Sequence, residues 1–502
     1  MNAALQMGAV VAVVSATLLI GVFGLRVSRT TSDFYVASRT VSPLWNASAI
    51  GGEYLSAASF LGIAGLILAY GADMLWLPVG WTGGYLVLLV LISAPLRRSG
   101  AYTLPDFAEA RLESMVVRRA AGVLVVLIGW LYLMPQFQSA GLVLRTVTGA
   151  PVWAGSLLVA FVVVVNVLSG GMRSITFVQA FQYWLKLTAL AAPVIFLLIA
   201  WRRDGAPGLT AQDLSTWAMP LAGDRDYDIY STYSLILATF LGTMGLPHVL
   251  VRFYTNPDGR AARRTTLVVL ALLGSFYLLP AIYGALGRIY ATDLLAEGRS
   301  DAVVLTLPGR LLGGTLGELL TALVTAGAFA AFLSTCSGLT VSVAGVIGQD
   351  LLQGGVRSFR VAAVLAVLMP LGLALAARAL PVADVVGLAF AVAASSFCPL
   401  LVLGIWWRRL TDAGAMAGLV SGGGLASLAV IATIVGGPHD GLLGALLAQP
   451  AAWSVPIAFV VMIVVSLLTP HRVPSGVARI MVRLHTPENL DVDRGDWRPR
   501  RT

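Results

Sequence analysis

Ile50-Gly51-Gly52-Glu53-Tyr54-Leu55-Ser56 interrupts one apolar run early in its length, and Gly242-Thr243-Met244-Gly245-Leu246-Pro247-His248 interrupts a second. In a bilayer core a freed backbone N–H or C=O finds no water, so a helix that breaks there must place those groups against protein, a cavity or a ligand. Glycine lowers the steric cost of such a break. About five apolar spans lie between the start of one interrupted run and the start of the other, and breaks at matching places in two halves mark an inverted repeat with its binding site near the bilayer midplane.

The rest of the chain supports that frame. Hydrophobic residues make up 58% of it and charged residues 11%. Soluble domains carry about 25% charged residues, so this is an integral, multi-pass membrane protein. Thirteen spans are expected, at 3–25, 45–70, 73–96, 119–144, 151–170, 177–201, 231–251, 266–291, 314–348, 359–378, 381–407, 413–435 and 451–469, most of them near the ~20 residues needed to cross. With the N-terminus outside, 24 of the 33 basic residues fall on the inner side, eight on the outer side, and Lys186 lies within a span. That bias places the C-terminus inside.

The expected organisation is an extra transmembrane helix in 1–30, an inverted-repeat core in 31–410 (first repeat about 45–201, second about 231–407), two peripheral helices in 411–470 and an Arg-rich, partly disordered cytoplasmic tail in 471–502. The first run lacks a basic segment before it, so it reads as a retained span rather than a cleaved signal. Tyr102 to Arg119 reads as a surface helix on the inner face. The outer stretch from Arg202 to Tyr230, with Asp204, Asp213, Asp224, Asp226 and Asp228, reads as a solvated acidic loop. Cys336 and Cys398 fall inside spans and read as small buried hydrophobes.

No phosphate loop, zinc-ligand spacing or nucleophile elbow appears, so the chain reads as no enzyme, and an ion or solute gradient is the expected energy source. Unwinding at Gly51-Gly52 is expected to free the carbonyls of Gly52 and Leu55. A hard cation takes such oxygens. Ala331-Phe332-Leu333-Ser334-Thr335 supplies two adjacent hydroxyls and, one turn back, the Ala331 carbonyl. Hydroxyls of this kind also bond their own backbone or a neighbouring helix. Glu53 is an ionisable group in mid-span, able to balance a cation, take a proton or pair with an arginine. His248 is suited to binding a carboxylate, or is held by backbone at the break. Tyr54, Ser56 and Ser59, with Gly245 and Pro247, are placed to line one cavity. Arg252 is able to attract a carboxylate or reads as an inner-end basic residue, and Lys186 reads as structural, with a stem long enough to snorkel.

Asp33-Phe34-Tyr35-Val36-Ala37-Ser38-Arg39, Gly52-Glu53-Tyr54-Leu55-Ser56-Ala57-Ala58-Ser59-Phe60-Leu61-Gly62 and Gly245-Leu246-Pro247-His248-Val249-Leu250-Val251-Arg252-Phe253-Tyr254-Thr255-Asn256-Pro257-Asp258 resemble the sodium/solute symporters. The Tyr-Thr-x-Pro-Asp continuation, with Gly170-Gly171-Met172 and Val178-Gln179, is similar to the acetate permease (cation/acetate symporter) branch. The resemblance spans roughly residues 30 to 430. It implies an all-α, LeuT-type core of two inverted five-helix repeats and a transported, coupling sodium ion held by Gly52, Leu55, Ala331, Ser334 and Thr335. It also implies a short monocarboxylate substrate, a bacterial cell membrane, and neither a nucleic acid nor an obligate protein partner. Two positions depart from the pattern. Many members have alanine at the position of Gly52, a change expected to matter little because a carbonyl does the binding. Others have aspartate at Gln179, which weakens the case for a second ion. The alternatives are a sodium- or proton-coupled carrier of another small solute such as proline, and a membrane sensor without transport. The tail is short and polar for a signalling domain.

Overall fold

The computed structural model describes residues 2–23, 37, 40–221, 227–350, 352, 355–376, 382–436 and 441–488. Of the stretches singled out above, 33–39 apart from Ala37, Asp224, Asp226 and the tail beyond 488 lie outside the described residues. Within them the chain is helical, with no strand. After α1 (Ala3–Phe23), the first interrupted span is two half-helices, α2 (Pro43–Tyr54) and α3 (Ile63–Tyr70), the latter entered through a π-turn over Ala58–Gly62. Next come α4 (Trp76–Val87), α5 (Met115–Thr148) and α6 (Val152–Arg203). The second interrupted span is α7 (Asp228–Thr243) and α8 (Pro247–Val251). It is followed by α9 (Gly259–Tyr290), α10 (Gly314–Asp350), α11 (Gly355–Ala376), α12 (Val382–Trp406), α13 (Asp412–Gly418), α14 (Ala451–Leu468) and α15 (Val477–His485).

Twelve helical runs among the described residues are long and apolar enough to cross a membrane, against thirteen spans expected. One of them, Ala58–Ser99, has 42 residues, about 63 Å at 1.5 Å per residue and twice the ~30 Å hydrocarbon core. Gly71, at φ +73°, turns the chain within it, and Trp217 holds the turn by donating from Nε1 to the Leu68 carbonyl (3.1 Å) and accepting from Ala72 N (2.9 Å). The run therefore carries the outer half of one crossing and the whole of the next. The 12-residue α2 is too short to register alone. The expected spans 151–170 and 177–201 count as two of the twelve, Val152–Ser169 and Met172–Arg203, within one 52-residue helix, α6. It too is long enough for two crossings, and its Asn166 and Ser174 both meet Gly21 of α1.

Burial sorts the helices. The most apolar windows of α10 and α12 are 89% and 94% buried, whereas those of α1 and α14 are 28% and 33% buried. The first pair forms the centre of the bundle and the second pair its rim. Cys336 and Cys398 are free and buried on the two central helices.

One surface expectation is corrected. The outer loop is not simply solvated: Tyr290 donates to Asp204 (2.9 Å), and Asp213 accepts from Nε and Nη2 of Arg288 (2.8 and 2.6 Å). Thr210 also caps the short helix Ala211–Ser215 by accepting from Asp213 N. In the described part of the tail, α15 puts Met481 and Leu484 inward. Within 102–119, α5 begins at Met115, and Leu104–Leu112 forms a separate helix, opened by a capping box between Thr103 and Asp106, with Leu104, Phe107, Ala108 and Leu112 buried. Arg118 ties it to the core, bridging Asp106 (2.8 Å), Glu109 and Asp350 (2.8 Å).

Candidate site at the helix breaks

The first break falls after Tyr54, not at the glycines. Gly51 and Gly52 stay helical within α2, and Leu55 leaves the helix at φ −74°, ψ 82°. In an uninterrupted helix Ser56 N would bond the Gly52 carbonyl and Ala57 N the Glu53 carbonyl. Instead Ser56 N turns to the Tyr54 carbonyl (2.9 Å), and Ala57 N donates to Oε1 of Gln136 on α5 (3.0 Å). The carbonyls of Gly52 and Glu53 are thereby released. Gly52 is needed for another reason: a Cβ there would lie 2.2 Å from the Gln179 carbonyl oxygen of α6. Contrary to expectation, alanine at this position would force α2 and α6 apart.

Lys186 of α6 takes the released oxygens. It is fully buried and does not snorkel. Its Nζ donates to the Gly52 carbonyl, to the Leu55 carbonyl (2.7 Å) and to Oγ of Ser334 on α10 (2.9 Å). An ammonium has three N–H donors, and all three are used. Ser334 in turn donates to the Ala331 carbonyl (3.1 Å), and Thr335 donates to the Glu53 carbonyl (2.7 Å). Gly52, Leu55, Ala331, Ser334 and Thr335 are thus brought together across α2 and α10, with the lysine nitrogen among them.

Glu53 points away from that cluster. Its Oε2 accepts from Nε of Arg252 (2.7 Å), which follows α8, and both side chains are sealed from solvent. Arg252 also donates to Thr176 (2.8 Å) and to Oε1 of Gln179, while Nε2 of Gln179 donates to the Ser334 carbonyl (2.7 Å). Gly338 of α10 makes room, since a Cβ there would come within 2.0 Å of the Glu53 carboxyl carbon. The two broken spans are joined again by Tyr54 and Thr243, whose hydroxyls lie 2.8 Å apart.

Beside the break lies a cluster of rings. Tyr54 meets Tyr85 edge-on at 4.9 Å, Trp81 lies 5.5 Å from Phe390 and 5.9 Å from Tyr277, and Tyr132 sits between Phe390 (6.1 Å) and His248 (5.2 Å). Ser56 accepts from the Tyr132 hydroxyl (3.4 Å), and Ser59 pairs with that of Tyr277 (3.1 Å). Tyr54, Ser56, Ser59 and His248 therefore share one neighbourhood, whereas Glu53 is outside it. Gly245 packs on α12, where a Cβ would stand 2.3 Å from the Ala393 carbonyl oxygen. Pro247 lines a narrow crevice with Val125, Val251 and Val341. Four buried groups around the rings have polar atoms with no hydrogen-bond partner among the described residues: Trp81 Nε1, the Tyr85 hydroxyl, Gln136 Nε2 and both His248 nitrogens.

Sequence reasoning missed Trp81, Tyr85, Tyr132, Gln136, Tyr277, Phe390 and Gly338. Aromatic residues in membrane spans carry no local mark of function. A glutamine at mid-span such as Gln136 was the one available signal. The Tyr254–Asp258 signature has a structural role: Thr255 donates to the Arg252 carbonyl (2.7 Å), Asn256 accepts from Thr265 (2.7 Å), and Asp258 caps α9 by accepting from Ala261 N (2.6 Å).

The model of the sodium:solute symporter family matches residues 34–422. Over 509 residues, 96% of this chain and 98% of its relative, the sequence is 31% identical to an uncharacterized symporter, YwcA, of Bacillus subtilis. It is 30% identical over 486 residues, 87% of each chain, to a monocarboxylic acid transporter of Corynebacterium glutamicum. Among solved structures, a substrate-bound, outward-open Na+-coupled sialic acid symporter aligns with a TM-score of 0.73 at 15% identity, covering 92% of this chain and 97% of that one. The nucleobase-cation symporter Mhp1 aligns at 0.59 and 12% identity, covering 91% and 99%. These likenesses show the LeuT-type fold.

Proposed function

This chain belongs to the sodium:solute symporter family, and from that premise we propose that it imports acetate or a related short monocarboxylate into a bacterial cell, coupled to sodium, by alternating access. The family supports sodium as the coupling ion, and the Corynebacterium relative's name supports the substrate class. The observation that carries the substrate reading is the ring cluster with its uncommitted donors. Trp81 Nε1, the Tyr85 hydroxyl and Gln136 Nε2 offer N–H and O–H groups, and the rings offer an apolar wall. A buried donor left without a partner costs about 1–3 kcal/mol, and one carboxylate with a short carbon tail relieves several at once. Tyr54, Ser56, Ser59 and His248 complete the lining, with the restarted helix beyond Ala57 adding its N-terminal dipole.

Arg252 and Lys186, the buried basic side chains at the first break, are already engaged with Glu53 and with the Gly52 and Leu55 carbonyls. Neutral donors then bind the anion, so it is held without a fixed counter-charge and is readily released. Because Glu53–Arg252 and Tyr54–Thr243 join the two broken spans, these move as one unit when the site is exposed to alternate sides.

The test is uptake of labelled acetate into proteoliposomes with and without an inward sodium gradient, in competition with pyruvate, propionate and proline. The reading holds if sodium drives acetate uptake and the short acids compete. Uptake blocked by proline but indifferent to the acids would overturn it.

A further inference from the structure

We infer that Lys186 is the resident cation of the Gly52–Leu55–Ala331–Ser334–Thr335 cluster, a tethered ammonium standing where the family's pattern places an exchangeable sodium. The inference deepens the symporter reading and rests on it only for the importance of the site. The side chain crosses from α6 with its whole stem buried, although a lysine near a span end is free to reach an interface. Its three bonds go to two carbonyls and a hydroxyl. Those are neutral oxygens of the kind that coordinates a hard monovalent cation. The remaining oxygens of the set are satisfied within the cluster, Ala331 by Ser334, while the Thr335 hydroxyl is spent on Glu53. A sodium at this point would need the same oxygens and would meet a like charge within bonding distance.

The second observation is register. Gln179 and Lys186 are seven residues apart, about two turns of one helix face, and both end on Ser334, one on its carbonyl and one on its hydroxyl. Gln179 is neutral at this position, and the ammonium two turns on supplies the positive charge. The tie between the first broken span and α10 is therefore permanent rather than dependent on external sodium. A coupling sodium binds away from these five residues.

The test uses the purified full-length protein and radioactive sodium at constant ionic strength, with choline as the replacement. Lys186→Ala is expected to gain saturable sodium binding, and adding Ser334→Ala is expected to abolish the gain. No gain in a folded Lys186→Ala protein overturns the inference. Should that variant not fold, Ser334→Ala in the parent decides: sodium binding equal to the parent's supports the inference, and its loss refutes it. Acetate uptake is measured alongside. Absent uptake with the sodium gain intact refutes the function and not the inference, and Ser334-dependent sodium binding in a competent acetate carrier does the reverse.

Discussion

Glu53 and Arg252 are the most deeply buried ion pair among the described residues, two charges sealed from solvent on the two broken spans. Removing one partner of such a pair leaves an uncompensated buried charge and costs about 3–5 kcal/mol, whereas replacing both by neutral groups is far milder. Glu53→Gln and Arg252→Gln should each depress the thermal unfolding midpoint in detergent, and the double variant should recover most of the loss. At the ring cluster, Trp81→Phe keeps the ring and deletes one uncommitted donor. If Trp81 Nε1 meets the carboxylate, KM for acetate should rise about tenfold, equivalent to ~1.4 kcal/mol, with kcat little changed. The charge of Glu53 and the polarity of Ser334 and Thr335 were legible in the sequence. That Lys186 reaches Ser334 was not, because nothing local says whether a mid-span lysine turns inward or snorkels.

Among the elements, the peripheral pair shows what a sequence pattern holds when its partner is unknown. Gly414, Gly418 and Gly422 recur every fourth residue, the spacing that lets membrane helices approach closely. They face α14: a Cβ would stand 2.0 Å from Ser466 Oγ, 2.0 Å from Met462 Cγ and 2.3 Å from Ala458 Cβ. Gly418→Leu should cost about 1–3 kcal/mol by overpacking and speed hydrogen exchange in α14, leaving α10 protected. On the outer side, Thr210 and Arg288 hold the Asp213 carboxyl below its ordinary range. A depressed carboxylate stabilises the fold above its unfolded pKa, and that contribution is lost as pH falls through the lower folded value. Proteolysis of the 204–218 loop should therefore accelerate on acidification, and Asp213→Asn should make it fast at neutral pH and insensitive to acid. The acidic residues of this loop were visible in the sequence, but the α9 partners of Asp213 and Asp204 lie 75 and 86 residues away in the chain.

For the whole molecule, the decisive quantity is charge moved per cycle. One monovalent cation with one monovalent anion carries no net charge. A second cation would add about 2.3 kcal/mol per 100 mV. With Gln179 engaged by Arg252 and Ser334 rather than presenting an acid, a single coupling cation is expected, so acetate uptake in proteoliposomes should produce no current at imposed potentials.

The sequence by itself determined the membrane class and the paired interruptions, because hydropathy and interrupted runs are properties of short segments read against a bilayer, and its motifs pointed to the symporter family that matches residues 34–422. Only the tertiary structure decided where the first helix opens, which rings gather beside it and which charge meets the freed carbonyls. Those outcomes depend on α2, α6 and α10 approaching at Gly52 and Gly338, where the absence of a side chain lets groups more than a hundred residues apart reach the freed carbonyls.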